Sequence, residues 1–408
     1  MKFFYNIFIR SFSAVIACAA PFHRKAEKFY KGRLGWRKHL KKWRDDNPGE
    51  LVWFHAASLG EFEQGRPLIE KLRQKHSHKI ILLTFFSPSG FEVRRDYDKV
   101  NGVFYLPVDT AANARDFVAL LQPKWAVFIK YEVWPNYFAE LKSCQVRLIM
   151  ISVNFRKDQR FFSGLTKSWW NAVLKNCDTF FTQNERTTAL LLQAGHRNVI
   201  TAGDTRYDRV FEVAGQKHLS SELLEWKGSD QLLIAGSTWP DDDNYLYEVF
   251  PQLNGWKILF FPHNLNDSQI DALMQKFDAR RWSSRENIPL SGCNVVVVDE
   301  VGWLNSAYGL ADMAWIGGGF NKGIHNTLEA AAWGIAMCFG PRYEKFDEAL
   351  QLITVGAARS ADSTKHYEVL LTALKDESWR KAAGAAAQGW VAKNIGASAK
   401  IMDVFDRN

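Results

Sequence analysis

A carboxylate stands near the start of a predicted helix, directly after a predicted strand. Residues 51–57 read LVWFHAA, an apolar run typical of a buried strand, and residues 58–65 read SLGEFEQG. The turn after a parallel strand is where open α/β sheets bind ligands, and Glu61 could act there as a general base. Alternatively, Glu61 only complements the dipole at the start of the helix. The residues alone leave both interpretations open.

A glycine-rich segment in the C-terminal half predicts a phosphate site. An apolar strand is predicted to end in Gly317–Gly319, and a helix to open near His325 or Asn326. Glycines let backbone N–H groups approach an anion, and a helix N-terminus supplies positive potential. The segment matches neither GxGxxG nor a Walker loop, which excludes the standard dinucleotide and P-loop interpretations. Glu329 could accept hydrogen bonds from ribose hydroxyls, or it could cap the helix.

Further polar residues follow predicted strands in both halves of the chain. Each of them could be a helix cap, a structural histidine or a solvated charge. Together they would line a cleft of mixed carboxylates and cations, which suits an anionic sugar or phosphate substrate. These residues are Ser89, Gly90, Glu132, Arg156, Arg206 and Asp208 in the first half and Ser237, Thr238, Pro262 and His263 in the second.

The elements that must position these residues alternate between strand and helix. Short β-rich apolar runs are separated by amphipathic helical patterns, which predicts parallel, doubly wound sheets. A polar stretch at 215–230 divides two such units. We predict an α/β, GT-B-like fold: two Rossmann-like lobes facing a central cleft, at 35–215 and 225–408, after an N-terminal segment 1–34. Helical residues 378–405 could pack back onto the first lobe. The predicted strands are 51–55, 80–85, 103–106, 125–130, 146–152, 179–182, 198–201, 231–235, 257–262, 294–298, 313–317 and 335–339.

Composition narrows the chemistry. The 408 residues carry a formal net charge of +8, so the surface should attract anionic partners such as nucleic acid, acidic lipid headgroups or phosphorylated substrates. The five cysteines show no CxxC spacing, which indicates a reducing compartment and no structural zinc. Because HExxH and Cys/His clusters are also missing from the sequence, we expect no metal.

The amino terminus is apolar up to position 22 and basic over 24–34. Its uninterrupted apolar stretch, Ser11 to Phe22, is shorter than the roughly 20 residues that span a bilayer. A monotopic helix on anionic lipid accounts for the aromatic and basic residues together. A signal peptide, with VIAC before Ala19 as a lipoprotein-like cleavage box, and a buried core helix are the alternatives.

Six motifs in order resemble one known family. HAASLGE, SPSG, YEVWPN, GDTRYD, AGSTW and IGGGFNKGIHNTLEAA are similar to motifs of the Kdo transferases. These GT-B glycosyltransferases move 3-deoxy-D-manno-octulosonic acid (Kdo) from CMP-Kdo to a lipid A precursor. The resemblance covers most of the chain and favours the monotopic interpretation. It implies the cytoplasmic face of the inner membrane, CMP-Kdo as donor substrate, no cofactor and no nucleic-acid partner.

The same resemblance assigns roles to individual residues. Glu61 would deprotonate the acceptor hydroxyl as it attacks the anomeric carbon of Kdo, with inversion and departure of CMP. Glu132 would be a second carboxylate on the acceptor side. The acceptor-side set is Ser58, Gly60, Ser89, Gly90, Glu132, Arg156 and Arg206, where Arg206 replaces the usual lysine. The donor-side set is Ser237, Thr238, Pro262, His263, Gly317, Gly318, Gly319, Asn326 and Glu329.

The chain also departs from the family pattern. Pro262 stands where arginine is typical, Trp303 stands where the motif GEL has its glutamate, and Lys130 stands where an acid is common. Arg342 could restore the lost cation. Two other functions stay open: a GT-B enzyme that uses a UDP-sugar, and a non-catalytic basic protein that binds lipid or nucleic acid.

Overall fold

A computed structural model describes residues 1–216 and 220–406, which belong to two compact units. The first unit is Met1–Asp208 with Gly396–Asn408, and the second is Arg209–Ile395. The N-terminal segment 1–34 is thus part of the first unit. The second unit ends at Ile395, short of the predicted 408, because the chain returns to the first unit from Gly396. Residues 217–219 of the predicted break lie outside the described residues.

Two seven-stranded parallel sheets form the cores of the units. The orders are β3-β2-β1-β4-β5-β6-β7 and β10-β11-β9-β8-β12-β13-β14. The strands are β1 Leu51–Ala56, β2 Ile80–Phe85, β3 Gly102–Tyr105, β4 Trp125–Ile129, β5 Arg147–Val153, β6 Thr179–Thr182, β7 Val199–Thr201, β8 Gln231–Thr238, β9 Trp256–Pro262, β10 Arg280–Arg281, β11 Val295–Val297, β12 Met313–Ile316, β13 Met337–Phe339 and β14 Ala358–Ser360.

Helices connect the strands and cover the sheets, as βαβ crossovers require. Short 3-10 helices lie at Phe250–Gln252, Trp282–Ser284 and Tyr308–Leu310. The α-helices are α1 Lys2–Ala19, α2 Arg24–Lys31, α3 Trp36–Asp46, α4 Leu59–Lys75, α5 Pro88–Arg94, α6 Ala111–Leu121, α7 Pro135–Ser143, α8 Lys167–Leu174, α9 Glu185–Gln193, α10 Thr205–Gly215, α11 Ser221–Lys227, α12 Pro240–Val249, α13 Asp267–Phe277, α14 Leu304–Ala307, α15 Leu328–Ala332, α16 Asp347–Thr354, α17 Glu368–Lys375, α18 Glu377–Asn394 and α19 Ala397–Asp406.

The predicted α/β class and its doubly wound sheets are confirmed. Every predicted strand is present, with ends that differ by no more than three residues. The sequence predicts neither β10 nor β14, because β10 is Arg280–Arg281 and β14 is Ala358–Ser360, and neither contains a run of apolar residues. Buried strands such as β1, whose six residues are all buried, give the continuous apolar runs that parallel sheets require.

The strand orders define one topological switch point in each sheet. In the first sheet the chain moves outwards from β1 through β2, and later outwards in the other direction from β4. In the second sheet the same reversal separates β8 from β12. Open α/β sheets bind ligands beyond the carboxyl ends of the strands at such points. Each unit therefore offers one position for a site: after β1 and β4, and after β8 and β12.

Helix α19 completes the core of the first unit. Its side chains Ile401, Met402 and Phe405 are buried in the apolar cluster that also contains residues of β1 and α4. The Asp208 carboxylate accepts hydrogen bonds from the N–H groups of Gly396 and Ser398, at 2.5 and 2.7 Å. The sequence places Asp208 among the polar residues expected to line the cleft. In the structure it caps the start of α19.

Candidate active site

Glu61 lies in the first turn of α4, directly after β1. Its Oε2 accepts a hydrogen bond from the backbone N–H of Ala57 at 2.6 Å. Burial and, to a lesser extent, the nearby negative charge of Glu132 raise its pKa to about 7, against opposing effects from the Ala57 amide and Lys130. A carboxylate with a pKa close to neutral pH is a stronger base than an exposed glutamate. The bond to the Ala57 amide is the local structural role of Glu61, and its role as a general base stays a prediction.

Glu132 follows β4 and belongs to a buried polar cluster. Its Oε2 accepts a hydrogen bond from the Trp134 indole N–H at 2.9 Å and lies 3.5 Å from Nε2 of His55. The same indole nitrogen lies 3.2 Å from His55 Nε2. His55 has no exposed surface, whereas the Glu132 side chain keeps 15% of its own. Trp134 and His55 thus contact the Glu132 carboxylate on its buried side, and the Glu132 side chain remains partly exposed to solvent.

Thr84 determines which nitrogen of His55 carries a proton. The Thr84 hydroxyl donates to the Phe54 carbonyl at 3.2 Å, and its oxygen accepts from the Trp53 indole at 2.8 Å. With its only proton engaged, the hydroxyl must also accept from His55 Nδ1, which lies 2.9 Å away. Nδ1 therefore carries the hydrogen, and Nε2 accepts from the Trp134 indole beside Glu132.

Of the smaller predicted acceptor-side residues, Gly90 is the one that close packing requires. Ser58 is the N-cap residue of α4, but its side chain makes no capping bond. Ser89 is exposed and its hydroxyl lies 3.0 Å from that of Ser87. At Gly90 a Cβ atom would meet the Phe85 ring at 2.3 Å, so a close approach requires glycine there, whereas Gly60 faces open space.

The predicted arginines both lie near Tyr131, the second residue after β4. Burial raises the pKa of Tyr131, while the positive charges of Arg156 and Arg206 lower it. Arg206 pairs with Asp204 at 2.7 Å, and the exposed Arg156 pairs with Asp158 at 3.3 Å. Positive charge therefore collects at the same edge of the first sheet as Glu61 and Glu132.

In the second unit three aromatic rings stack at the ends of β8, β9 and β12. The His263 ring lies between Trp239 and His325, with ring centroids 4.7 and 4.5 Å apart. The Trp239 indole donates to Nε2 of His325 at 3.0 Å. Burial lowers the pKa of His325 to about 4. At neutral pH its single proton therefore lies on Nδ1.

The glycine loop differs from the predicted phosphate cradle. Gly317 donates its N–H to the carbonyl of Gly236 at 2.8 Å, and Gly318 donates to Asp242 Oδ2 at 2.8 Å. These two amides are engaged by the protein and are not free donors for a phosphate in this structure, and the donor-side role of the loop stays a prediction. The three glycines instead permit close backbone packing: a Cβ at Gly317 would meet the Ser237 carbonyl at 2.4 Å, and one at Gly319 would meet Gly340 at 2.5 Å.

Helix α15 begins later than predicted. It starts at Leu328 rather than near His325 or Asn326. Asn326 lies one residue before the N-cap residue Thr327, and its Oδ1 accepts from the Leu328 N–H at 3.0 Å. The Asn326 amide also donates to Glu329 Oε1 at 2.9 Å. Asn326 and Glu329 are thus brought together, and the ribose role of Glu329 stays a prediction.

The other donor-side candidates converge on the ring stack. Ser237 has a φ of +55°, a strained backbone for a residue other than glycine. Thr238 is fully buried, and its hydrogen bond to the Asp243 carboxyl opposes the rise that burial causes in the pKa of that acid. Pro262 ends β9 and brings His263 to the stack. The side chain of Arg342 donates to the Asn321 carbonyl beside the glycine loop.

Several residues of both sites were missed in the sequence. Asp242, fully buried, accepts from the Trp239 and Gly318 amides and the Trp315 indole, and thereby joins the ring stack to the glycine loop. A histidine at the end of an apolar strand was the available signal for His55. Asp242 lies in the acidic first turn of α12, a pattern that is equally typical of acids that complement a helix dipole. Among the described residues, no group of three or more His, Cys, Asp or Glu could hold a metal ion.

Helix α1 has one face on the first unit and one face uncovered. It is long and apolar enough to cross a membrane. Ile9 is buried, and the Phe12 ring packs against Phe29 at 5.9 Å. The opposite face exposes large apolar side chains, so the helix is not the buried core element that was one alternative. These side chains are Phe3, Phe4, Ile7, Phe8 and Val15.

Comparison with known proteins gives consistent relatives. The family model described as 3-Deoxy-D-manno-octulosonic-acid transferase (kdotransferase) matches residues 30–209. A 3-deoxy-D-manno-octulosonic acid transferase of Chlamydophila psittaci is 27% identical over 364 residues, covering 87% of this chain and 84% of the relative. The enzyme of that name from Haemophilus influenzae is 24% identical over 421 residues, covering 99% and 98%.

Solved structures agree on the fold. A UDP-GlcNAc 2-epimerase from Neisseria meningitidis, bound to UDP-GlcNAc, has a TM-score of 0.61 at 12% identity and covers 88% of this chain and 100% of its own. At this identity the likeness shows the fold alone. The two doubly wound sheets and this likeness confirm the predicted GT-B-like fold. The family model and the relatives named above are those of Kdo transferases, which confirms the resemblance of the motifs.

Proposed function

We propose that this enzyme transfers Kdo from CMP-Kdo to a hydroxyl group of a lipid A precursor. The observation that carries the proposal is the Glu61 carboxylate, half-buried beside Glu132 at the switch point of the first sheet, in a chain of this family. The relatives named above carry the name of this sugar. The donor nucleotide and the acceptor are inferences from the family resemblance.

Glu61 is the general base in this proposal. The acceptor oxygen forms a bond to the anomeric carbon of Kdo while the bond from that carbon to the CMP phosphate oxygen breaks. Glu61 takes the hydroxyl proton, and the electron pair of the broken bond leaves with CMP. A single displacement of this kind inverts the anomeric centre. The raised pKa of Glu61, about 7, supports the assignment because proton transfer is most effective near the operating pH.

The second unit is proposed to bind CMP at its own switch point. The Trp239–His263–His325 stack offers a flat aromatic edge, and His325 presents an Nδ1–H donor. Asn326 and Glu329 supply an amide and a carboxylate nearby. No metal or other cofactor is part of the proposal.

Helix α1 is proposed to hold the enzyme on the cytoplasmic face of the inner membrane. Its exposed face carries phenylalanine side chains, with Phe3 71% and Phe8 63% exposed. Since the opposite face packs on the first unit, the helix suits an interfacial position parallel to the bilayer. Lys25 and Arg24 at the start of α2 would attract anionic lipid headgroups.

A transfer assay tests the proposal directly. The purified full chain, with CMP-Kdo and a tetra-acylated lipid A precursor in detergent, should release CMP and yield a Kdo-bearing lipid. Thermal stabilisation by CMP should exceed that by UDP. Transfer from a UDP-sugar but not from CMP-Kdo would overturn the donor assignment. Full transfer by a Glu61→Gln variant would overturn the assignment of the base.

A further inference from the structure

The amino-terminal helix is tied to a buried carboxylate of the first unit. The Tyr5 hydroxyl donates to Asp109 Oδ2 at 2.7 Å, and its ring packs on Trp169 at 5.6 Å. Asp109 has no exposed surface, and burial raises its pKa to about 6. A buried acid is costly unless it is hydrogen-bonded. The contact is therefore built into the fold of this unit.

Asp109 in turn fixes the start of α7. Its carboxylate accepts from the backbone N–H groups of Asn136 and Tyr137 at 3.1 and 3.0 Å. The Asn136 side chain donates to the Asp109 carbonyl at 2.7 Å and to Oδ1 of Asn6 at 2.9 Å. Two neighbouring side chains of α1, Tyr5 and Asn6, thus contact the cap of a helix that begins three residues after Glu132.

A second line of contacts runs from α1 to the same carboxylate. The Phe12 ring stacks on Phe86 at 6.4 Å, and Phe86 packs on Trp134 at 4.6 Å. Trp134 is the N-cap residue of α7 and donates to Glu132 at 2.9 Å. The hydrogen-bonded line and the aromatic line meet at the loop that carries Glu132.

We propose that α1 is a working part of the acceptor-side site: Tyr5 and Asn6 position α7 and, through it, the Glu132 carboxylate beside Glu61. The inference rests on the proposed function for its activity readout. The docking of α1 on the first unit and the correct placement of Glu132 then occur together. An enzyme whose α1 is unseated loses turnover even when the acceptor is presented in detergent rather than in a membrane.

The test is a double variant, Tyr5→Phe with Asn6→Ala, in the full chain. It removes the hydroxyl and the amide from the network but leaves the exposed apolar face of α1 intact. We expect vesicle binding like that of the wild type and a kcat lowered about tenfold or more, since a misplacement of about 1 Å can cost on the order of 10²-fold. The acid limb of the pH profile should move to lower pH, because a displaced Glu132 no longer raises the pKa of Glu61. Tyr30→Phe is the matched control: this hydroxyl lies on α2, is exposed and should not affect turnover.

Amide hydrogen exchange gives a readout that needs no activity. Exchange at Asn136 and Tyr137 should accelerate in the double variant and not in Tyr30→Phe. Wild-type turnover and an unmoved pH profile would overturn the proposal, as would a loss of turnover that only follows a loss of vesicle binding. If the wild type transfers no Kdo, the proposed function fails, and unchanged exchange in the double variant then overturns the coupling independently.

Discussion

Nε2 of His55 lies 3.5 Å from Oε2 of Glu132, and both atoms lie within hydrogen-bond distance of one indole N–H, that of Trp134. Because Thr84 keeps a hydrogen on Nδ1 of His55, the ring offers Nε2 as an acceptor to the Trp134 indole. The same indole N–H donates to Glu132. The position of the Glu132 carboxylate, whose negative charge raises the pKa of Glu61, therefore depends on Trp134 and on the buried His55 ring.

The proposed base gives the first prediction. Glu61→Gln keeps size and hydrogen-bonding reach but cannot take a proton at neutral pH. General base catalysis contributes about 10² to 10⁴-fold, so kcat should fall by that order while CMP-Kdo affinity is retained. Glu63→Gln is the control, since Glu63 forms ion pairs with Arg66 and Arg94. Near-normal turnover of the Glu61 variant in a steady-state assay would end the assignment.

The second prediction concerns the free energy of unfolding. Glu61→Gln should increase it at pH 8, whereas the same change would decrease it if Glu61 only complemented the helix dipole. The folded pKa of Glu61, about 7, lies above its ordinary value, so ionised Glu61 costs stability at pH 8 and the cost disappears as pH falls below the ordinary value. Glu61→Gln should therefore raise the free energy of unfolding at pH 8 by about 1–3 kcal/mol. If Glu61 only complemented the helix dipole, the same change would lose about 0.3–1 kcal/mol. Melting curves at pH 8 and pH 5 distinguish the two.

The pH dependence of kcat/KM gives the third prediction. The rate should rise with pH through about 7, as Glu61 ionises. Glu132→Gln removes a negative charge that raises this pKa, so the midpoint should move below 7. It should stay above the ordinary glutamate value because burial is the larger cause. An unmoved midpoint in the Glu132 variant would show that the two carboxylates do not interact.

The exposed face of α1 gives the fourth prediction. Phe4→Ser with Phe8→Ser should weaken binding to anionic vesicles by roughly 10²-fold or more, since burying each phenylalanine contributes about 1.5–3 kcal/mol. Added salt should weaken binding further by screening the basic flank. Val301→Ser, an exposed apolar residue of the second unit, is the control in a sedimentation assay. Undiminished vesicle binding by the double variant would show that the exposed face of α1 does not contact the membrane.

The donor site gives the fifth prediction. Glu329→Ala removes the carboxylate that Asn326 holds and should weaken CMP binding in a calorimetric titration, with little change in melting temperature. Glu286→Ala, an exposed acid of the same unit, should bind CMP like the wild type. Equal CMP affinity in both variants would mean that Glu329 does not contact the ribose.

Much of the architecture could be predicted because parallel strands bury both faces. The apolar runs that became β1 and β4 stand out in the sequence for that reason, and the turns after them had to meet at one sheet edge. Glu61 and Glu132 were found in this way. The two-residue strand β10 has no such pattern and was not found.

The contacts inside each site could not be predicted, because they depend on which partner a polar group meets. The Gly318 amide meets Asp242 rather than an open cradle, and nothing in a GGG motif distinguishes the two outcomes. His55 was taken as part of a buried strand, yet register with β2 and β4 places its ring between Thr84 and Glu132. The role of Tyr5 required knowledge that α1 meets Asp109, more than a hundred positions away.

Helix α19 makes the order of synthesis matter. The ribosome releases β1–β7 early, but Ile401 and Phe405, which cover the helix that carries Glu61, emerge only after Arg209–Ile395 has been made. That intervening segment is continuous and can complete its own sheet during translation, since domains generally fold as units. The first unit is therefore the first to be synthesised and the last to complete its core. A chain that ends before Ile401 lacks the side chains of α19 that complete the apolar core around β1 and α4.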